Sequence, residues 1–304
     1  MTTPTASLLL QAAAAAAGSQ QYPAGALYVV ATPIGNLADL SLRAIHVLSI
    51  ADAVGCEDTR HSAPLLRHLG LDKPLLAVHQ HNEREAAAGV LARLARGERV
   101  AYVSDAGTPA ISDPGAVLVA AVQAAGHPTF AVPGPSSAVA ALSVAGDTVG
   151  AGFVFVGFLP PRGGERALAV HALAASHATQ VLFEAPHRIE ALAASLAQAC
   201  GVRAVTLCRE LTKQFETVAT MPAESLPAWL AADPNRLRGE FVLVLHALAP
   251  TVDADAEARH DSTLKTLLAE LPLKQAVSLA AQLTGAPRNA LYTRALMLKA
   301  AATG

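Results

Sequence analysis

The chain holds 304 residues, of which 52% are hydrophobic, 15% charged and 4% aromatic; 68 are alanine, and the formal net charge is −2. So much apolar material excludes a disordered chain, and the near-neutral balance excludes a strong non-specific polyanion binder. No apolar run approaches the roughly 20 residues of a membrane-spanning helix.

Residues 1–24 are rich in alanine, and SLLLQAAAAAA (7–17) has the apolar look of a signal peptide. No Lys or Arg precedes Arg43, however, so the charged leader region is missing. The stretch reads as a disordered or loosely helical extension, and the protein as cytoplasmic.

A regular rhythm begins at residue 25. Short β-rich runs, LYVVA (27–31), AVGCE (53–57), LLAVH (75–79), VAYVSD (100–105) and TFAVPG (129–134), alternate with helical stretches near 41–51, 58–69, 83–96, 115–125 and 136–145. Strands that alternate with helices predict a mostly parallel sheet covered on both faces. Residues 25–148 therefore form a first α/β domain.

Residues 149–249 have a different rhythm and predict a second α/β domain. FVFVGFLP, a helix from Glu165, QVLFEAP and a helix over 188–200 are followed by RAVTLCREL and FETVAT, which only three residues separate. That gap is too short for a helical crossover, so the pair predicts an antiparallel hairpin in a mixed sheet. EFVLVLHAL supplies the last strand. Residues 250–261 carry a net charge of −3 and read as an acidic linker. The tail, 262–304, has five Lys or Arg against one acid and reads as three short helices.

Ligands of a doubly wound sheet sit outside the carboxyl ends of its strands, and polar loops follow all five strands of the first domain. These are TPIGNL (32–37), EDTR (57–60), HQHNE (79–83), SDAGTPAISDPG (104–115) and PGPSS (133–137). Any one of them could be an ordinary turn; five at one edge point to a site. There is no G-K-[ST] phosphate loop and no G-x-G-x-x-G after the first strand, so a nucleoside-like ligand without phosphates is indicated. Cys56, Cys200 and Cys208 are too few and too unevenly spaced for a disulfide framework or a zinc site, and the 11 histidines make no H-x-x-x-H pattern. No metal is expected.

These same loops, with FVGFLP, FEAPHRI, CRELTKQFET, RGEFVLVL and the tail segment LPLKQAVSLAAQLTGAPRNALYTRAL, resemble one family over about residues 26–300. It is the bacterial small-subunit (16S) ribosomal RNA ribose 2′-O-methyltransferase I family, of the tetrapyrrole methylase-like (class III) fold. Two departures stand out: the alanine-rich N-terminus, and Phe183-Glu184-Ala185-Pro186 in place of an aromatic-Glu-Ser/Thr segment. The resemblance implies S-adenosylmethionine as cofactor, a homodimer, and small-subunit ribosomal RNA or the ribosomal subunit as partner. It further implies cofactor contacts from Pro33 and Gly35, from Asp105, Ala106, Gly107, Thr108 and Ile111, and from Pro133, Gly134, Ser136, Ser137 and Ala138. Phe183, Leu211 and Glu240 would contribute from the second domain. Alternatively, Asp105 caps its own loop.

A ribose 2′-hydroxyl is a poor nucleophile, so a general base or a polarising group should assist. Candidates are Glu57, Asp58, His81, Glu83 and Glu184, with Arg60, Arg188 and Lys213 to hold RNA phosphates. Alternatively, His81 merely adjoins a helix capped by Asn82, and Arg60 pairs with Glu57 or Asp58. Asp113 is expected to cap a helix, with Pro114 in its first turn. In the tail, residues 274–283, a turn at Gly285 and residues 288–298 resemble a helix-turn-helix. On that reading Arg288 and Arg294 contact RNA; the alternative is a small packing bundle with a solvated basic face. Two other functions stay open: methylation of a tetrapyrrole-like small molecule or a protein with the same cofactor site, and a non-catalytic RNA-binding assembly protein.

Overall fold

The computed structural model describes residues 4–79, 82–249 and 254–302. The chain divides into two compact units, residues 1–248 and 249–304.

In the larger unit, five short strands rich in Val, Leu and Tyr pair side by side: β1 (Leu27–Val30), β2 (Ala53–Cys56), β3 (Leu75–Ala77), β4 (Val100–Val103) and β5 (Thr129–Val132). All pair parallel in the order β3-β2-β4-β1-β5, with Leu27 opposite both Val100 and Thr129. Their crossovers are α2 (Leu42–Ile50), α3 (Thr59–His68), α4 (Glu83–Ala95) and α5 (Ala116–Ala124), and α6 (Ser137–Ala145) follows β5. Local chemistry sets the helix ends. Ser41 Oγ accepts from the Ala44 amide to start α2, and Gly146, at φ 69°, stops α6. One face of the sheet buries Tyr28, Val54, Val103 and Leu48, and the other buries Leu27, Val100, Leu94 and Leu118. Sequestering a side chain of this size contributes about 1.5–3 kcal/mol.

Of the two states expected for the N-terminal stretch, disordered or loosely helical, the structure shows the helical one, packed and not loose. The stretch forms a helix, α1 (Pro4–Ala17), which packs on α2 and buries Ala6, Ala13 and Ala17. Alanine has the highest helix propensity and its methyl lets two helix backbones approach closely, so the run is ordered by packing.

The second sheet contains β6 (Phe153–Phe158), β7 (Thr179–Glu184), β8 (Ala204–Arg209), β9 (Thr217–Pro222) and β10 (Phe241–Leu245), in the order β6-β7-β10-β8-β9. Only β6 and β7 run parallel; β8 and β9 form the expected hairpin, with Arg209 opposite Thr217. The helices α7 (Gly163–Ala175), α8 (Ile189–Cys200) and α9 (Leu226–Ala231) cover one face through Leu173, Leu192, Leu196 and Leu230. The other face receives α6: Ala141 and Ala145 meet Val181, Val242 and Val244 in a core that joins the two sheets.

The smaller unit consists of α10 (Ala254–Glu270), α11 (Leu273–Thr284) and α12 (Arg288–Ala302) around Leu264, Val277, Ala280, Leu291 and Ala295. Gly285, at φ 69°, ends α11. The expected linker over 250–261 is shorter than its composition suggested. Residues 250–253 lie outside the described residues, and the chain is helical from Ala254, where acidic residues near a helix N-terminus favour the helix dipole. Among the described residues, no helix is long and apolar enough to cross a membrane.

Candidate active site

A cleft of about 400 Å³ opens at the carboxyl ends of the first sheet's strands and is closed from the other side by the second sheet. Three loops of the first sheet build one wall and are stitched together by two backbone bonds and one from a side chain. The Thr32 amide donates to the Gly107 carbonyl at 2.8 Å, the Gly107 amide returns a bond to Thr32 at 3.1 Å, and Thr108 Oγ1 donates to Pro135 O at 3.0 Å. Gly107 sits at φ 82°, a conformation open to glycine. Ile34, Ala106, Gly107, Thr108 and Ile111 line this wall, with Ser136 and Ser137 at the start of α6.

The opposite wall is aromatic and aliphatic. Phe158, Phe183, Leu211, Phe241 and Val242 face the cleft. Phe183 holds Phe155 and Phe158 edge-on, with centroids 5.1 and 5.6 Å away. Apolar walls with a few convergent polar groups are the usual make-up of a small-molecule site.

Of the expected cofactor contacts, Ala106, Gly107, Thr108, Ile111, Ser136, Ser137, Phe183, Leu211 and Glu240 line the cleft. Gly107 does so with its amide and carbonyl already engaged by Thr32, and the Ala106 carbonyl accepts from Ser104 Oγ at 3.3 Å. Pro33, Gly35, Asp105, Pro133, Gly134 and Ala138 are not among the lining residues. Gly35 lies under the Lys213 stem, where a Cβ would stand 2.5 Å from Lys213 Cγ, and at Gly134 it would stand 3.1 Å from Ala31 Cβ. Ala138 is buried in the core that joins the sheets. The Asp105 carboxylate accepts from the Asp58 amide at 3.1 Å and lies 2.7 Å from His61 Nδ1, an interaction that raises the His61 pKa.

Several charged candidates turn out to hold the scaffold. Glu83 Oε1 accepts from the amides of Gly115, Val117 and Leu118, which makes it the cap of α5 and not a base. Glu184 lines the cleft, but its fully buried carboxylate is clamped by Arg166 Nη2 at 3.1 Å and Arg188 Nε at 2.7 Å. Arg188 also donates to Leu159 O, so it stabilises this wall and is not poised for phosphate. Lys213 is likewise committed, with Nζ 2.9 Å from both Glu210 and Glu240. Asp58 caps α3 and pairs with the exposed Arg60, whose hydrogen bonds hold its pKa down at about 2. Glu57 is half-buried beside Asp105 and Asp58; burial first, and then those charges, raise its pKa. Glu57 does not line the cleft. His81 lies outside the described residues. In the smaller unit, Arg294 makes a bidentate pair with Asp261, both contacts 2.7 Å, while Arg288 is exposed.

Sequence reasoning missed Ile34, Ser112, Asp113, Phe158, Ala185, Pro186 and Val242 as cleft residues. Asp113 is the most consequential of them. The N-cap of α5 is Gly115, with the helix starting at Ala116, so Asp113 is free of the capping role assigned to it and faces the cleft. Burial, with repulsion from Glu57 and Asp105, pushes its pKa up to about 6. Among the described residues, no group of three or more His, Cys, Asp and Glu is arranged to hold a metal.

Residues 26–227 match the family described as Tetrapyrrole (Corrin/Porphyrin) Methylases, and residues 253–299 match the RsmI C-terminal HTH domain. The chain is 47% identical over 275 residues to the Ribosomal RNA small subunit methyltransferase I of Pseudomonas aeruginosa, covering 90% of this chain and 97% of that one. The protein of the same name from Escherichia coli O157:H7 is 44% identical over 90% of this chain and 95% of its own. Among solved structures, a uroporphyrin-III C-methyltransferase from Thermus thermophilus superposes with a TM-score of 0.52 at 25% identity, covering 73% of this chain and 94% of that one. A structure of a Thermus thermophilus uroporphyrin-III C-methyltransferase complexed with S-adenosyl homocysteine has the same fold, with a TM-score of 0.51 at 20% identity over 72% of this chain and 96% of its own.

Proposed function

The chain belongs to the tetrapyrrole (corrin/porphyrin) methylase family, among its ribosomal RNA small subunit methyltransferase I members, and from that premise we propose that it methylates the ribose 2′-oxygen of a cytidine in small-subunit ribosomal RNA, with S-adenosylmethionine as methyl donor. The observation that carries the cofactor reading is the chemistry of the cleft: apolar walls, backbone edges at Ala106 and Thr108, and serines at a helix N-terminus, with no glycine-rich phosphate cradle. Such a site suits an uncharged nucleoside joined to an amino acid. The cofactor supplies an electrophilic methyl group on a sulfonium.

The chain's own contribution is placement. The stitched loops at Thr32, Gly107 and Thr108 hold one wall and the Glu184 clamp holds the other, so that donor and acceptor meet in a fixed geometry. The basic tail and its match to a helix-turn-helix domain favour RNA over a tetrapyrrole as acceptor. On this reading the protein works in the cytoplasm as a homodimer, the latter open to a sedimentation measurement.

Two measurements test the proposal. S-adenosylmethionine at 100 times its Kd should stabilise the fold by about 2.7 kcal/mol, and an unchanged melting point at millimolar ligand would count against any methyl transfer. Small ribosomal subunits from a strain lacking the protein, incubated with it, should then gain a ribose methyl mark. A mark on a base, or none, would overturn the ribose assignment.

A further inference from the structure

The proposed reaction, on which this inference rests, needs a group to take the proton of the 2′-hydroxyl, and the acids around the cleft can be sorted by what already holds them. Glu83 is bound to the α5 amides, Glu184 to two arginines, Glu240 to Lys213, and Asp58 to Arg60. Asp105 is engaged by the Asp58 amide and His61, and neither it nor Glu57 lines the cleft. Asp113 does line it, half-buried, with the Ser104 side chain as a hydrogen-bond partner and no salt-bridge partner among the described residues.

Its loop is shaped to put it there. Ala110 and Ser112 both take left-handed conformations, at φ 65° and 63°, although neither is glycine, and the Ala110 amide donates to Pro114 O across the turn. Such backbone persists where surrounding structure imposes it. The imposing contacts are visible: Glu83 pins Gly115, and the Tyr102 hydroxyl donates to Pro114 O at 2.7 Å.

We infer that Asp113 is the proton acceptor of the methyl transfer, with its carboxylate facing the acceptor hydroxyl in the cleft. As the new O–CH3 bond forms, the O–H bond breaks and its proton passes to the Asp113 carboxylate. The methyl–sulfur bond breaks with its electron pair left on sulfur, giving a neutral thioether and a neutral acid from a sulfonium and a carboxylate. The titratable groups facing Asp113 are Glu57 beyond β2, Asp105 beyond β4, and Tyr102 within β4, with the Ser104 side chain as its polar neighbour. Two acids beside a half-buried third keep its proton affinity above that of an ordinary aspartate, which suits a base working near neutral pH.

The test uses the full chain and small ribosomal subunits from a strain lacking it, with ribose-methyl mapping of the product, calorimetric binding of S-adenosylmethionine, and thermal melting. In the wild type, kcat/KM should rise with pH through about 6 and level off above it. D113N should lose roughly 10²–10⁴-fold in turnover, the usual range for general-base catalysis, together with that acid limb, while cofactor affinity is retained and the melting point does not fall, since a neutral amide relieves a carboxylate that burial disfavours. A D113N enzyme with the wild-type rate and the wild-type limb would overturn the assignment of Asp113 and leave ribose methylation standing. A wild-type profile flat between about pH 5 and 7.5 would overturn it too, whether or not D113N folds. A wild-type product methylated on a base would remove the reading on which the inference rests.

Discussion

The carboxylate of Glu83 accepts a hydrogen bond from the Gly115 amide at 2.8 Å, tying the first turn of α4 to the start of a helix 32 residues downstream. The same oxygen takes the amides of Val117 and Leu118, so one side chain satisfies three donors that the helix itself leaves unpaired. E83A should therefore lower stability by about 0.5–2 kcal/mol, the range of a lost helix cap, measured as a shift in urea midpoint. Because the same bond helps to hold the loop that presents Asp113, turnover by the folded fraction should fall as well, with the acid limb near pH 6 retained; loss of that limb in a folded E83A enzyme would return Glu83 to the catalytic candidates.

Glu184 presents the opposite case, a charge needed because other charges are buried with it. Its side chain is fully buried, and Arg166 and Arg188 are only 11% and 19% exposed. E184Q leaves two guanidinium groups against a neutral amide and should cost about 3–5 kcal/mol. A double replacement of Glu184 and Arg166 by apolar residues that is less destabilised than E184Q alone would identify the loss as unpaired charge.

Asp147 staples the end of α6 to the second sheet. Burial pushes its pKa up, but bonds from Thr179 Oγ1 and from the amides of Ala247, Val149 and Gly150 outweigh this and hold it at about 2. A depressed carboxylate stabilises the fold fully above the ordinary aspartate range near ~4, and that contribution is lost as pH falls toward about 2. Urea midpoints of wild type and D147N should thus differ most at pH 5 and above and converge in acid. A gap that stays constant down to pH 2 would contradict the staple.

Gly115 is held by geometry as well as by its cap. Its φ is 132°, and a Cβ there would stand 2.5 Å from Tyr102 Cε1. G115A should lose on the order of 1–3 kcal/mol through backbone strain, read as a lowered melting point. G115A together with Y102L should recover part of the loss if the ring is the obstacle.

The strands and their wall-forming loops were legible because their signals are local: alternating segments, Gly-Pro punctuation and a three-residue hairpin gap. The charges were not. Asp113 stands before Pro and Gly, where sequence favours a helix cap, yet the cap comes from Glu83, which no local pattern connects to it. Arg188 and Lys213 looked like phosphate ligands because a sequence shows no partners; folding supplies Glu184, Glu210 and Glu240. The alanine-rich start lacked an apolar stripe of large residues, and its order comes from a contact with α2 that propensity alone does not reveal. The family resemblance named many of the residues that line the cleft and passed over Asp113 among them.

The strand order of the second sheet bears on the timing of assembly. β10 is the last strand to be synthesised, but it lies between β7 and β8, and its first residues line the cleft opposite loops that begin at Ile34. While the growing chain still ends before Phe241, the second sheet has no centre and the cleft lacks part of its far wall. The five parallel strands can pair earlier, as domains tend to do during synthesis. The cleft is thus finished only as the second sheet is completed, and a chain terminated before Phe241 carries an open half of it.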